Sequence, residues 1–109
     1  MVEGSPDTLD RAYGALSHPI RRDLLERLTE SSARVTSLAS RYPVSLAAVS
    51  KHVHLLEQAG LVSRSVVGRD HVITGVPRAL DTAQEWLDTY RSFWDARLDA
   101  LERMLSAPR

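Results

Sequence analysis

Apolar positions recur along this chain in distinct rhythms, and each rhythm predicts an element. In S-L-A-A-V-S-K-H-V-H-L-L-E-Q-A-G-L-V, residues 45–62, Val49, Val53 and Leu56 fall at i, i+4 and i+7, the spacing of one face of a helix. Ser45 stands where an N-cap belongs and Gly60 where a helix stops. Upstream, Ile20, Leu24 and Leu28 form a similar stripe behind Pro19, a residue suited to a first helical turn. Between these two, V-T-S-L-A-S-R-Y-P predicts a short helix over 36–42 that Pro43 breaks. Downstream, V-S-R-S-V-V-G-R-D-H-V-I-T carries β-branched residues on both sides of a Gly68-Arg69-Asp70 tip, which predicts a two-stranded hairpin over 62–74. From Pro77 to Leu105 no further proline or glycine intervenes, and Leu80, Ala83, Leu87, Tyr90, Trp94, Leu98, Leu101 and Leu105 keep three- and four-residue steps. One long helix over 77–105 follows, with Trp86 and Phe93 widening its stripe. An N-terminal helix over 8–16 supplies Leu9, Ala12, Tyr13 and Leu16.

A helix, a turn and a second helix over 36–58, followed by a hairpin, make a winged helix-turn-helix: a mainly α fold with a β-hairpin wing, in a single domain over 1–109. At about 100° per residue, Ala47, Ser50, Lys51 and His54 lie opposite the apolar stripe of the second helix. A helix entering a DNA groove needs such a face, with small residues for close approach, hydrogen-bonding groups and a cation for phosphate. The long helix is too apolar to cover itself in a domain of 109 residues, so it predicts a homodimer through the N- and C-terminal helices. The expected interface is Leu9, Tyr13, Leu87, Tyr90, Trp94, Leu98 and Leu101. A two-fold dimer sets its recognition helices about 34 Å apart, or a multiple, and so predicts an inverted-repeat operator.

The blocks H-P-I-R-R-D-L-L-E-R-L, V-S-L-A-A-V-S-K-H-V-H-L-L-E-Q-A-G-L-V and V-G-R, in this order, resemble the ArsR/SmtB family of bacterial transcriptional repressors over roughly residues 9–105. The order is more specific than any single block. The resemblance implies a winged helix-turn-helix dimer, joined through its first and last helices, that represses transcription from double-stranded DNA. It also implies a wing arginine, Arg69 here, that reaches the minor groove; a solvated turn arginine is the alternative. At His54 many relatives have a lysine or arginine, so this chain departs toward a weaker, pH-dependent contact.

Charge locates the surface that meets DNA. The sequence holds 14 Lys plus Arg against 14 Asp plus Glu, but residues 19–71 carry eight cations and five anions, and no acid occurs from Ser31 to Leu56. Lys51 is the expected phosphate contact. Ser50 and Ala47 lie where base edges are read, by hydrogen bonding and by contact with a thymine methyl. Ser45 caps the helix, and its amide lies at a helix end that favours phosphate. Arg21 and Arg22 open the helix behind Pro19, and at least one is expected to face the DNA backbone; Arg41 and Arg64 are weaker candidates. His52 shares the apolar side and is expected to be partly buried and bonded to a backbone group.

The family's metal-sensing members use a cysteine pair near the recognition helix or carboxylates and histidines on the last helix. This chain has no cysteine, and its last helix has no histidine beside Asp81, Glu85, Asp88, Asp95, Asp99 and Glu102. His18, His52, His54 and His71 show no paired spacing. No metal and no cofactor are expected, which resembles the metal-independent, autorepressor-like branch. Control by another protein, or by a small apolar ligand near Trp86, Tyr90, Phe93 and Trp94, stays open. So does a winged-helix module that binds protein rather than DNA, although such a face calls for exposed aromatic or aliphatic anchors. No nucleophile with its base, phosphate loop or carboxylate pair suggests an enzyme. Without an apolar run of membrane length or a leader pattern, a cytoplasmic protein is expected.

Overall fold

The structure, a computed structural model, describes residues 6–106. Its order is α1 (Pro6–Leu16), α2 (Pro19–Glu30), β1 (Ala33–Arg34), α3 (Val35–Ala39), α4 (Leu46–Gln58), β2 (Val62–Val67), β3 (Asp70–Gly75), a 3-10 turn (Pro77–Leu80) and α5 (Asp81–Ser106). The chain's ends at 1–6 and 107–109, which the sequence alone marks as loose tails, lie outside the described residues except for Pro6.

The helical rhythm of α4 becomes the centre of the core. Val49, Val53 and Leu56 have no exposed surface and meet Leu24 of α2, Leu61 and Ile73, equally buried. On α2 the stripe is wider than the period suggested: Leu25 is buried beside Leu24 and Leu28, while Ile20 packs at the margin. The Ser45 hydroxyl accepts from the Ala48 amide at 3.1 Å and starts α4. Its end is a Schellman turn, in which Gly60 N–H donates to Glu57 O and Leu61 N–H to Leu56 O, both at 3.0 Å, with Gly60 at φ +75°.

Four sequence expectations change. The helix expected over 36–42 stops at Ala39, because the hydroxyl of Tyr42 turns back to donate to Asp23 of α2 at 2.6 Å, with the Arg27 guanidinium 6.0 Å above its ring. The wing has three antiparallel strands in the order β1-β3-β2, since Ala33 and Arg34 pair with Ile73 and Val72. Its tip is two residues, not three: Val67 pairs with Asp70, and Gly68, at φ +64°, opens a turn of the II′ kind with Arg69. The segment expected to be one helix over 77–105 begins instead as a 3-10 turn and becomes α-helical at Asp81.

α5 runs 26 residues, a length of about 39 Å at 1.5 Å per residue. Only Ala83 of this helix is buried. The Tyr13 hydroxyl donates to Ala83 O at 3.4 Å, and its ring meets Trp86 edge-on at 6.3 Å, which fastens α1 to the start of α5. Beyond this anchorage α5 projects, and the described molecule extends 74 Å along its longest axis. No helix among the described residues is long and apolar enough to cross a membrane.

Candidate nucleic-acid interface

Burial of Val49, Val53 and Leu56 fixes the rotation of α4 about its axis, and the opposite face follows from it. Ala47, Lys51 and His54 are exposed and Ser50 is half-buried. Two residues outside the expected set share the region: Leu46, 51% exposed, and Val44, 39% exposed, in the turn before the helix. At the far end His54 Nδ1 lies 3.9 Å from Glu57 Oε1, and Glu57 also pairs with Arg64 of β2 at 3.2 Å. Arg64 reaches on to His71 Nδ1 at 3.1 Å. This arginine, a weaker DNA candidate from the sequence, instead bolts the wing to the recognition helix.

Between wing and helix lies a cleft of about 300 Å³, lined by Arg34, Thr36, Leu46, Ser50, Arg69 and Asp70 among others. Arg69 is exposed on the turn. Arg34 pairs with Asp70 at 3.4 Å with both side chains largely solvated, so the pair is a weak tie that screening reduces further. Sequence reasoning missed Arg34, Thr36 and Leu46 as neighbours of Ser50. The acid-free run contained the signal for Arg34, but β1, which brings it beside the wing, is only two residues long and carries no period of its own.

Arg21 requires a correction. It is 9% exposed, and its guanidinium donates to Ala15 O at 2.7 Å, to Gly14 O at 3.1 Å and to His52 Nδ1 at 2.9 Å. With these donors engaged inside the fold, Arg21 is turned away from the surface and is not available as a phosphate contact. Arg22 stays exposed, with one bond to Leu16 O at 2.8 Å. His52 is half-buried as expected, but its partner is this side chain rather than a backbone group. Burial, then the neighbouring His18, Arg21 and Lys51, holds its pKa below the ordinary value. Two histidines that showed no paired spacing thus come together, with the rings of His18 and His52 4.4 Å apart. Among the described residues, no three histidine, cysteine or acidic side chains converge as a metal site.

A capped helix with a polar outer face, a short helix before it and a cationic wing beside it define a winged helix-turn-helix DNA-binding protein. A family model described as a helix-turn-helix domain matches residues 16–64. The chain is 34% identical over 98 residues, 90% of its own length and 89% of the relative's, to the HTH-type transcriptional regulator Rv2034 of Mycobacterium tuberculosis. An ArsR-like transcriptional regulator from Rhodococcus sp. RHA1 superposes with a TM-score of 0.82 at 30% identity, covering 96% of this chain and 99% of that one. The homodimeric winged helix-turn-helix DNA-binding domain Mb0332 of Mycobacterium bovis, 20% identical with a TM-score of 0.63 over 80% of this chain and 82% of its own, shares the fold. The chain belongs to the ArsR family of winged helix-turn-helix transcriptional regulators.

Proposed function

We propose that this regulator is a homodimeric repressor that binds an inverted-repeat operator with α4 in the major groove, without sensing metal. The observation that carries the reading is the rotation of α4: its apolar stripe is fully buried, so its small polar face is the one left for DNA. In this reading Lys51 and Arg22 contact phosphate, and the amide of Ser45 does so at the helix end. Ser50 reads a base edge, His54 reads DNA or touches phosphate, Ala47 meets a thymine methyl, and Arg69 reaches the minor groove from the wing. Arg34 and Leu46 join this set from the cleft.

Dimerisation is supported by the half-exposed apolar stripe of α5. Leu87 and Trp94 are each 47% exposed, Tyr90 49%, Leu98 57% and Leu101 51%, an apolar strip too long for a monomer surface. Leu9 and Tyr13 extend it from α1. Metal independence rests on ligand chemistry: there is no thiol in the chain and no imidazole on α5 to complete a soft or borderline site. Autorepression is the simplest control consistent with this, and a protein or small-molecule effector fits the same fold.

The test is a fluorescence-anisotropy titration against the gene's own upstream DNA and a scrambled duplex, each with and without zinc. Salt-dependent preference for the upstream DNA that zinc leaves unchanged is the expected result. Equal weak binding to both duplexes overturns autorepression, and a zinc-induced release overturns metal independence.

A further inference from the structure

We propose that Arg21 and His52 are positioning residues that hold the recognition helix against the α1–α2 frame, and that they do so only while His52 is unprotonated at Nδ1. The inference rests on the DNA-binding reading for its biological meaning, but the tie itself is structural.

The contacts form one connected path. Tyr13 fastens α1 to α5 through Ala83 O and Trp86. Directly after it, the carbonyls of Gly14 and Ala15 accept from Arg21, and the same guanidinium donates to His52 in the middle of α4. His52 immediately follows Lys51, and Ser50 stands one residue further back, so the tie bears on the part of α4 that carries the proposed DNA contacts. An arginine with its fork divided between two helices and buried to this degree fixes both distance and angle, which a lysine with its single ammonium does not.

The proton condition follows from the donor set. A guanidinium only donates, so His52 Nδ1 must present its lone pair, and the neutral ring carries its hydrogen on Nε2. Protonation would place an N–H against an N–H at 2.9 Å and a second cation beside Arg21. The charged and titratable groups acting on His52 all oppose that charge: His18 at the N-cap of α2, Arg21 within α2 and Lys51 from its own helix. From α1, the carbonyls of Gly14 and Ala15 are taken by Arg21, and Arg11 lines the cleft beside Leu55 and Gln58, further along α4. His18, in ring contact with His52, is likewise an acceptor, its Nδ1 taking the Ile20 amide at 3.1 Å and capping α2. The lowered pKa of His52 puts the change below 6.5, with the tie intact above that pH and released as pH falls through the depressed value.

The experiment compares wild type, His52→Gln and Arg21→Lys from pH 7.5 down to 5. Glutamine keeps a carbonyl acceptor for Arg21 and does not titrate. Operator affinity, measured at constant ionic strength with the dimer verified by sedimentation, should fall about tenfold more in wild type than in His52→Gln, a coupling of the size usual between linked sites. Arg21→Lys should bind more weakly at neutral pH and lose the same acid-dependent component. In parallel, NMR follows the His52 ring and the α4 and α1 amides without DNA. Joint movement of both helices with the ring titration in wild type, absent from His52→Gln, is the expected result. An identical acid response in wild type and His52→Gln in either readout overturns the tie. Absence of operator binding by wild type at every pH counts instead against the DNA reading, and the NMR comparison still decides the tie.

Discussion

Lys51 and Ser50 stand side by side on α4, yet they are expected to do different work. An exposed ammonium neutralises phosphate whatever the sequence, so Lys51→Ala should weaken binding to every duplex and flatten the salt slope by about one unit. A hydroxyl near a base edge discriminates, so Ser50→Ala should relax preference at one position of the site; titrations over single-base operator variants would show it. Unchanged binding in both variants would remove α4 from the groove. The Tyr42–Asp23 contact supplies a stability prediction. The Tyr42 hydroxyl, and then Arg27, hold Asp23 below its ordinary 3.8, so the unfolded chain takes up this proton at higher pH than the folded one. Its contribution is complete above 3.8 and is lost as pH falls through the lower folded value. Tyr42 itself is pushed up to about 12 by burial and then by Asp23, so its share is complete below 10 and is lost as pH rises from there through about 12. Thermal unfolding of Tyr42→Phe against pH should show a shallower acid decline than wild type. Face membership on α4 was legible because a period of 3.6 assigns sides. The partners of Tyr42, Arg21 and Arg64 were not, because they lie 19, 31 and seven residues away on elements whose approach no local pattern encodes.

Elements with a period were read well, and elements made by contact were not. α4 carries its own cap, stripe and glycine stop, and the hairpin its β-branched runs. β1 is a strand only because the β3 edge offers hydrogen bonds to two residues, and α3 ends early because Tyr42 is drawn to α2. Close approach of elements also sets Gly75. A Cβ there would sit 2.8 Å from Leu28 O and 3.1 Å from its carbonyl carbon, both backbone atoms of α2 that cannot rotate away. Gly75→Ala should therefore cost about 1–3 kcal/mol in urea unfolding, as overpacking does. A change below a few tenths would mean that β3 and α2 have room to separate.

The whole molecule is dominated by the projecting α5, whose apolar side beyond its anchorage at Ala83 and Trp86 stays exposed among the described residues. Leu87→Glu with Trp94→Glu should yield monomers with much weaker operator binding, since two half-sites are then no longer held together. Sedimentation still showing dimers would refute α5 as the interface. The exposed stripe was readable from spacing alone, because eight apolar positions at helical intervals demand burial somewhere. The fold class was equally readable, since periodicity, capping and turn residues are local and cumulative. Arg21 shows where such reading ends: an arginine two residues after Pro19 has the same composition whether it faces phosphate or the interior. The packing of α1, α2 and α4 turned it inward, because buried carbonyls at the end of α1 and an imidazole lone pair on α4 offered its guanidinium partners that no neighbour in sequence could supply.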